Sequence, residues 1–516
     1  MTKVKHVFMV EGNPFFPLGS EFLIQNGYSV RDESETEEAF KALKSTHGNT
    51  GEFPIYWDQV EPEEGKFDFA SVDILLSFAR QYGVKLILLW FATWKNGNMD
   101  YSPAWIKTNP RRFKREKAPS GKDVWVLSTH SQATLEADKK AFVTLCKYLK
   151  ATDSGEHTVI GLQVENEPNI TEIDRDHGYE AQAVYDSPVP VQLMTNMKAA
   201  GKGDVYEQWQ KAGGKESGTW PELFGSEAGN FMHTWGLAAY IDTVAEAGKE
   251  IYDLPMFINI AGPDTAYKAL DIYKWFTPNI DIIGPDIYIR DRKDYEFVCA
   301  KYARDDNPLF VPESFGDLNM IRAIADYDAI GYFIQNIRRN NVYGNSMAIP
   351  ERLFKINLIR CVSTVIPLIL KYRGTGKIQA VIQPEKENVQ RLDFDGYMGI
   401  VEFGDWRPSY VARNPPDNSP GAGLVIQVSR NEFYFAGNNC RLHINAKPPF
   451  DKVEAPKATT RWPYGIGVGY TISLEEGHFG PNDEFVADRR RNGDETYHGA
   501  WVEPDIGVLR VKMCDC

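Results

Sequence analysis

The sequence has no apolar run near the roughly 20 residues that a membrane-spanning helix needs, and it is poor in cysteine and histidine. Its 516 residues include 6 cysteines and 9 histidines. No CxxC or HExxH pattern occurs, which argues against a zinc site and against a disulfide framework. We therefore expect mostly free thiols, no metal and no other cofactor.

Excess positive charge is also absent, since the net charge is -14. A protein that binds nucleic acid non-specifically needs a basic face, so that class of partner is not expected. Hydrophobic residues make up 43% and charged residues 25%, which is typical of a soluble globular protein. Aromatic residues make up 13%, a content that suits either sugar stacking or core packing.

A secretory leader is not apparent at the start of the chain. The apolar segment at residues 7–10 is too short for one, and no small-residue cleavage site follows it. The sequence as written therefore predicts a cytoplasmic protein, or a secreted or periplasmic one if a leader has been removed. We expect no membrane partner, and the oligomeric state stays open, with a homodimer among the alternatives.

Strand-like and helix-like segments alternate through the first two thirds of the chain. Apolar runs such as residues 84–91 are typical of strands that are buried on both faces of a parallel sheet. Helical spacing follows at 71–82, which Gly83 should cap, and at 134–150, and a helix over 351–372 should kink at Pro367. The eight strand candidates are 15–19, 53–57, 84–91, 159–164, 255–260, 280–288, 309–311 and 329–334. Eight such units predict a closed (β/α)8 TIM barrel over residues 1–376.

Helical periodicity stops after about residue 377, and short strands then alternate with turn residues. This pattern predicts a C-terminal antiparallel β-sandwich domain over residues 377–516. Residues 414–420 (NPPDNSP) are expected to form an exposed loop.

Two of the predicted barrel strands end in a glutamate. Glu167 follows the strand at 159–164 and Glu313 follows the strand at 309–311. Side chains at the C-terminal ends of barrel strands point into the active-site mouth. Glycoside hydrolysis needs two facing carboxyl groups, one protonated as an acid and one ionised. Each glutamate alone is also explained as an ordinary strand exit, so the prediction depends on the pair.

Several motifs around these glutamates resemble those of retaining β-galactosidases, and most closely those of glycoside hydrolase family 35. The resemblance covers most of the chain. Within the family, the chain resembles a microbial branch in which one small β-domain directly follows the barrel. The motifs are residues 49–69 (NTGEFPIYWDQVEPEEGKFDF), 88–97 (LLWFATWKNG), 102–105 (SPAW), 163–168 (QVENEP), 312–313 (PE) and 421–428 (GAGLVIQV).

This resemblance implies roles for individual residues. Glu167 matches the general acid/base, Glu313 the nucleophile, and Asn166 the residue that hydrogen-bonds the sugar 2-hydroxyl. From its position, Tyr288 is expected to orient the nucleophile. Weaker candidates for binding the sugar, each equally explained as an ordinary loop residue, are Glu21, Trp94, Lys95, Asn96 and Asn259. Glu165 is the alternative to Glu167 as the acid, but it lacks the preceding Asn.

The predicted function is that of a retaining exo-β-galactosidase, which removes terminal galactose from oligosaccharides or plant-type polysaccharides. Residues 21–24 (EFLI) and 332–336 (YFIQN) differ from the usual family segments. A β-glycosidase for another sugar therefore stays an alternative. A catalytically silent carbohydrate-binding barrel is the alternative from another class, and the presence of both glutamates argues against it.

Overall fold

Eight parallel strands form a closed barrel in the computed structural model, which describes residues 6–22, 32–337, 349–404, 419–447, 471–503 and 507–514. Consecutive strands are neighbours, and a parallel bridge between Ile287 and Ser314 joins the sixth strand to the seventh. The predicted TIM barrel is thus confirmed. The first to eighth barrel strands are Leu18–Glu21, Thr50–Tyr56, Lys85–Lys95, Val159–Asn166, Met256–Ile260, Ile282–Pro285, Phe310–Val311 and Gly331–Gln335.

The interior of the barrel is filled by alternate residues of these strands, as the two-residue period of a strand requires. Ile87, Leu89 and Phe91 of the third strand pack there with Phe257 and Phe310 of the fifth and seventh strands. This apolar filling leaves the polar strand ends to form the mouth.

Helices cover the outside of the barrel and lie close to their predicted positions. Gly83 ends one helix in the left-handed conformation with φ +63°, where its N–H bonds to Ala79 and Arg80. The α-helices before the C-terminal domain are Glu33–Ser45, Trp57–Val60, Ala70–Tyr82, Ala104–Lys107, Gln132–Asp153, Tyr179–Tyr185, Val191–Ala200, Asp204–Lys211, Trp220–Phe224, Ala228–Ile251, Pro263–Ala266, Leu270–Phe276, Arg292–Tyr302, Asn319–Ala325, Ile349–Ser363 and Ile366–Tyr372.

The kink predicted at Pro367 is a break between two helices. Pro367 lies in the first turn of Ile366–Tyr372. A backbone N–H has no acceptor within the helix at that position, so proline is tolerated there. This helix and Glu351–Ser363 meet at 56°. No single helix of the described residues is long and apolar enough to cross a membrane, although this bent pair is by length and composition. Both helices bury apolar residues, among them Ile359 and Ile369, in the core that they share with the barrel.

Three features were not anticipated from the sequence. An antiparallel hairpin of Phe8–Val10 and Asn13–Phe15 precedes the first barrel strand, and a second of Arg115–Lys117 and Asp123–Leu127 follows the third. A set of short helices between residues 179 and 224 separates the fourth strand from the long helix Ala228–Ile251, and it has its own small apolar core.

Two antiparallel sheets make up the C-terminal part, as predicted. The six-stranded sheet has the spatial order Ile378–Ile382, Ala422–Ser429, Glu432–Asn438, Val508–Met513, Thr471–Phe479 and Phe485–Arg490. The four-stranded sheet has the order Val389–Phe394, Tyr397–Phe403, Cys440–Ala446 and Ala500–Trp501, and the helix Gly493–Tyr497 precedes its last strand. One face of the larger sheet, including Leu424, Ile426 and Ala436, joins the core of the barrel helices.

The predicted domain boundary at residue 377 falls between the last barrel helix and the strand Ile378–Ile382, and it stays a prediction. Most of the predicted loop at 414–420 lies outside the described residues. Cys146, Cys299, Cys361 and Cys440 are buried free thiols, as expected. Cys514, in contrast, takes part in a disulfide.

Candidate active site

Glu167 and Glu313 face one another at the C-terminal end of the barrel. Glu167 directly follows the fourth strand, and Glu313 lies two residues after the seventh. One carboxylate oxygen of each lies within 4.8 Å of the other, and both side chains are buried. The structure thus brings together the two carboxyl groups that the sequence singles out.

The Glu313 carboxylate accepts hydrogen bonds from three side chains. The Tyr288 hydroxyl donates to Oε2 at 2.6 Å, and Asn259 Nδ2 donates to Oε1 at 3.1 Å. Asn166 Nδ2 approaches the same Oε1 at 3.4 Å. These donors fix the orientation of the carboxylate and stabilise its negative charge.

Glu167 has a different environment. Its backbone N–H donates to Asn259 Oδ1 at 2.9 Å, and its φ of +43° is unusual for a residue other than glycine. Burial, followed by the charge of Glu313, raises the pKa of Glu167 to about 7. A carboxyl group with such a pKa keeps a proton near neutral pH, which a general acid requires.

Lys95 ends the third strand and brings an ammonium group to the same mouth. Its Nζ donates to Asn166 Oδ1 at 2.7 Å and also to Asn96 Oδ1. Asn96 is exposed and adopts a left-handed backbone, with φ +52°. The three residues thus form a connected polar edge beside the carboxyl pair.

Glu21 ends the first strand and is fully buried. Neither of its carboxylate oxygens has a hydrogen-bond partner within the described parts of the chain. Burial raises the pKa of Glu21, the charge of Glu313 raises it further, and Lys95 lowers it, so this carboxyl group faces the same cluster. Unpartnered buried oxygens of this kind are suited to receive ligand hydroxyl groups.

Trp94 is placed differently from its predicted position in the pocket. Its indole packs edge-on against Tyr240 at 4.7 Å, and its Nε1 donates to the Leu127 carbonyl at 3.1 Å. Alternate residues of a strand face opposite sides, so Lys95 reaches the mouth while Trp94 faces the helices.

Glu165 also lies away from the pair. Its carboxylate accepts the backbone N–H groups of Thr93 at 3.3 Å and Trp94 at 2.7 Å. It therefore fastens the third strand to the fourth, in agreement with the preference for Glu167 as the acid. Trp57 is a fully buried core residue.

Two further carboxyl groups were missed. Asp286 follows the sixth strand and accepts Asn259 Nδ2 at 2.8 Å. It lies two residues before Tyr288, so the strand-end argument used for the glutamates would have found it. Glu52 lies within the second strand, opposite Glu21 in the parallel register, and its buried oxygens have no partner among the described residues. Glu52 could have been found from the sequence, because it is the only charged residue of an otherwise uncharged strand.

The oxygens of Glu167, Asp286 and Glu313 are close enough together to contact one cation. Such an all-oxygen set suits Mg²⁺ or Ca²⁺. A cation there would hold Glu167 in its ionised form, which is incompatible with its use as an acid.

Comparison with known proteins agrees with this geometry. The model of the family described as beta-galactosidase, glycoside hydrolase family 42, matches residues 29–199. These residues include the second to fourth barrel strands and Glu167. A domain family of unknown function matches residues 360–503. The match and the carboxyl pair together confirm the predicted enzyme class. Over residues 29–199 the chain is similar to a β-galactosidase family of glycoside hydrolases.

The solved structures to which the chain is similar are more distant. A β-galactosidase from Halorubrum lacusprofundi is 16% identical, with a TM-score of 0.48, and the match covers 67% of this chain and 58% of that one. A family 42 β-galactosidase from G. stearothermophilus is 15% identical, with a TM-score of 0.46 and coverage of 70% and 58%. The catalytic domain of a β-amylase from Paenibacillus polymyxa is 12% identical, with a TM-score of 0.43 and coverage of 66% and 98%. The chain thus spans less than two thirds of the length of both β-galactosidases.

Proposed function

We propose that this enzyme is a retaining exo-β-galactosidase that works by double displacement. In the first step, Glu313 attacks the anomeric carbon while Glu167 gives its proton to the glycosidic oxygen. The bond to the leaving sugar breaks, and a covalent galactosyl ester of Glu313 forms. The donors on Glu313 and the raised pKa of Glu167 are what this step requires of each group.

In the second step, Glu167 acts as a base. It takes a proton from a water molecule, which attacks the anomeric carbon and releases Glu313 as a carboxylate. The sugar leaves with its original β-configuration, and Glu167 is protonated again. No external cofactor is needed to balance these two steps.

The proximity of the two carboxyl groups carries the proposal. Retaining enzymes have carboxyl groups about 5 to 5.5 Å apart, whereas inverting enzymes separate them by roughly 6.5 to 9.5 Å to admit a water molecule. In this chain, oxygens of Glu167 and Glu313 approach within 4.8 Å, which favours direct attack by Glu313.

Galactose is proposed as the sugar because the family whose model matches is described as beta-galactosidase. The unpartnered oxygens of Glu21 offer acceptors for sugar hydroxyl groups. The motifs at the second, third and fourth strands support family 35, and the matching model is that of family 42. The proposed chemistry does not depend on this choice, because it uses the carboxyl pair of this chain.

Proton NMR of the first product tests both parts of the proposal. A panel of nitrophenyl β-glycosides gives the preferred sugar, and we expect the galactoside to be cleaved fastest. The β-anomer should then appear first and convert slowly to the α-anomer. An α-anomer at the earliest time would mean inversion, preference for another glycoside would identify a different sugar, and no cleavage of any glycoside would favour the silent carbohydrate binder.

The natural substrate is proposed to be an oligosaccharide or plant-type polysaccharide with terminal β-galactose. The cellular location and the oligomeric state stay predictions.

A further inference from the structure

One half-exposed tryptophan, Trp125, lies in a connection on the active-site face of the barrel. It belongs to the hairpin strand Asp123–Leu127, between the third barrel strand and the helix Gln132–Asp153. Connections of this kind, which follow the C-terminal ends of the strands, build the active-site face of a TIM barrel. The side chain of Trp125 is 46% exposed, so the packing of the hairpin does not explain why so large an apolar group is there.

Backbone contacts join Trp125 to Lys95, which lies at the mouth of the barrel. The Lys95 N–H donates to the Asn98 carbonyl at 2.9 Å. The next residue, Met99, donates its N–H to the Trp125 carbonyl at 3.2 Å. The hairpin is therefore anchored to the turn that directly follows the third strand.

The same turn packs against the segment that follows Glu167. A Cβ atom at Gly97 would lie 1.8 Å from the Ile170 carbonyl oxygen, so the two backbones are in direct contact. The Ile170 N–H donates to the Glu167 carbonyl at 3.2 Å. Trp125 is thus connected to the side of the pocket from which the acid/base acts. The acid protonates the oxygen that joins the terminal sugar to the leaving group, so the leaving group lies on this side.

The indole of Trp125 is held along one edge and over one face. Its Nε1 donates to Asp100 Oδ1 at 2.7 Å, and the guanidinium carbon of Arg115 lies 4.7 Å from the ring centroid. Arg115 is itself fixed, because its Nη2 donates to the Lys107 carbonyl at 2.7 Å. The exposed area therefore belongs to the opposite face. A ring that is already held in place loses little conformational freedom when it binds a ligand.

We propose that Trp125 is the platform on which a sugar ring of the leaving group stacks, so that it determines the preference of the enzyme for oligosaccharides over short galactosides. This inference rests on the proposed exo-β-galactosidase function and adds a leaving-group subsite to it. The sugar that fits is a β-linked hexose with equatorial hydroxyl groups, because its axial C–H bonds form a flat apolar face that suits an aromatic ring. Asp100 and Arg115 are positioning residues for the indole.

Three substrates that differ only in the leaving group test the platform. β-Galactosyl fluoride has no leaving sugar, lactose has one glucose, and β-galactosyl-cellobiose has two. Trp125→Ala should lower kcat/KM by roughly tenfold for at least one of the two oligosaccharides and leave it unchanged for the fluoride. The loss should lie in KM, because the ring binds the leaving sugar equally before and during bond cleavage. The shortest substrate that shows the loss identifies the sugar that stacks.

Three further variants separate stacking from other effects. Trp125→Tyr keeps a flat ring and should retain most of the preference for the oligosaccharide. Asp100→Ala removes the acceptor of the indole N–H, so it should give a smaller loss on the same substrates and none on the fluoride. Tyr179→Ala is the matched control, since Tyr179 is 86% exposed and lies two residues after His177, whose N–H donates to the Lys117 carbonyl of the same hairpin at 2.9 Å. It should leave all three kcat/KM values unchanged.

The outcomes that would overturn the proposal are specific. Equal losses on all three substrates in both Trp125 variants would show a structural role, and unchanged values on all three would show no role in binding. A loss for Tyr179→Ala as large as that for Trp125→Ala would mean that any exposed aromatic ring has the effect. Failure of the wild-type enzyme to cleave β-galactosyl fluoride would instead refute the proposed β-galactosidase function, so the two failures are distinguishable.

Discussion

Replacing Tyr288 with Phe should slow the second half of the reaction far more than the first. The Tyr288 hydroxyl donates to Glu313 Oε2 at 2.6 Å, a length typical of a bond to a charged oxygen. While the galactosyl ester breaks down, negative charge returns to this oxygen, and the hydroxyl group stabilises it. During ester formation the same charge disappears, so the lost bond costs that step little.

The size of the effect follows from the bond. A hydrogen bond to a charged group contributes about 1.5 to 3 kcal/mol. With about 1.4 kcal/mol for each factor of ten, kcat should fall by roughly 10- to 150-fold. KM should fall with it, because the ester accumulates, and kcat/KM should change much less. Rapid mixing with a nitrophenyl galactoside should release a burst of nearly one nitrophenol for each active site.

Tyr295→Phe is a suitable control. Tyr295 is fully buried, and its hydroxyl is hydrogen-bonded to the Tyr332 hydroxyl at 3.2 Å. It should alter stability without a burst. If kcat/KM of Tyr288→Phe falls as much as kcat, and no burst appears, the reasoning about the second step is refuted.

Three further predictions concern the acid/base, the pH dependence of stability and the C-terminal sheets. Glu167→Ala should cleave activated nitrophenyl galactosides but stall at the ester, and added azide should restore turnover as β-galactosyl azide; an α-azide would show that the roles of Glu167 and Glu313 are exchanged. Burial raises the pKa of Glu116 from 4.5 to about 8, so its contribution to the free energy of unfolding is complete below pH 4.5 and is lost as the pH rises towards 8. In urea unfolding, the free energy of unfolding of Glu116→Gln should exceed that of the wild type by up to about 5 kcal/mol above pH 8 and by almost nothing at pH 4. A gain that is independent of pH would contradict this. A fragment of residues 1–376 should aggregate or lose stability, because Leu424 and Ile426 share the barrel-helix core; a soluble, fully active fragment would show that the sheets are not a structural brace.

The sequence was sufficient wherever a local rule decides the structure. The third barrel strand was detectable because a strand buried on both faces is continuously apolar, whereas the first, Leu18–Glu21, begins three residues after its predicted start because its second half is polar. Gly83 ends one helix and Pro367 lies in the first turn of another, both for reasons of backbone geometry. Glu167 and Glu313 were found because a carboxylate at the end of an apolar strand is conspicuous.

Contacts between distant segments were harder to predict. Trp94 and Lys95 are adjacent, and only the register of the third strand decides which of them faces the mouth. Asp286 is tied to the carboxyl pair through Asn259, which belongs to another strand and also accepts the backbone N–H of Glu167. The short helices at residues 179–224 interrupt the alternation of strands and helices, and nothing in that alternation requires them.

The cluster of acids connects the chemistry of this site to the stability of the fold. Burial raises the pKa values of Glu21, Glu52 and Asp286. The positive charge of Lys95 opposes this rise at Glu21 and at Glu167. A carboxyl group with a raised pKa stabilises the fold below its ordinary pKa, and that contribution is lost as the pH rises towards the folded value. Glu167 needs its proton over the same range, with a pKa of about 7. Loss of the acid and loss of folding stability therefore follow from one physical cause, the burial of carboxyl groups in a low-dielectric pocket. The folding stability should decline as the pH rises above the ordinary carboxyl range, and the activity that needs a protonated Glu167 should decline above about pH 7.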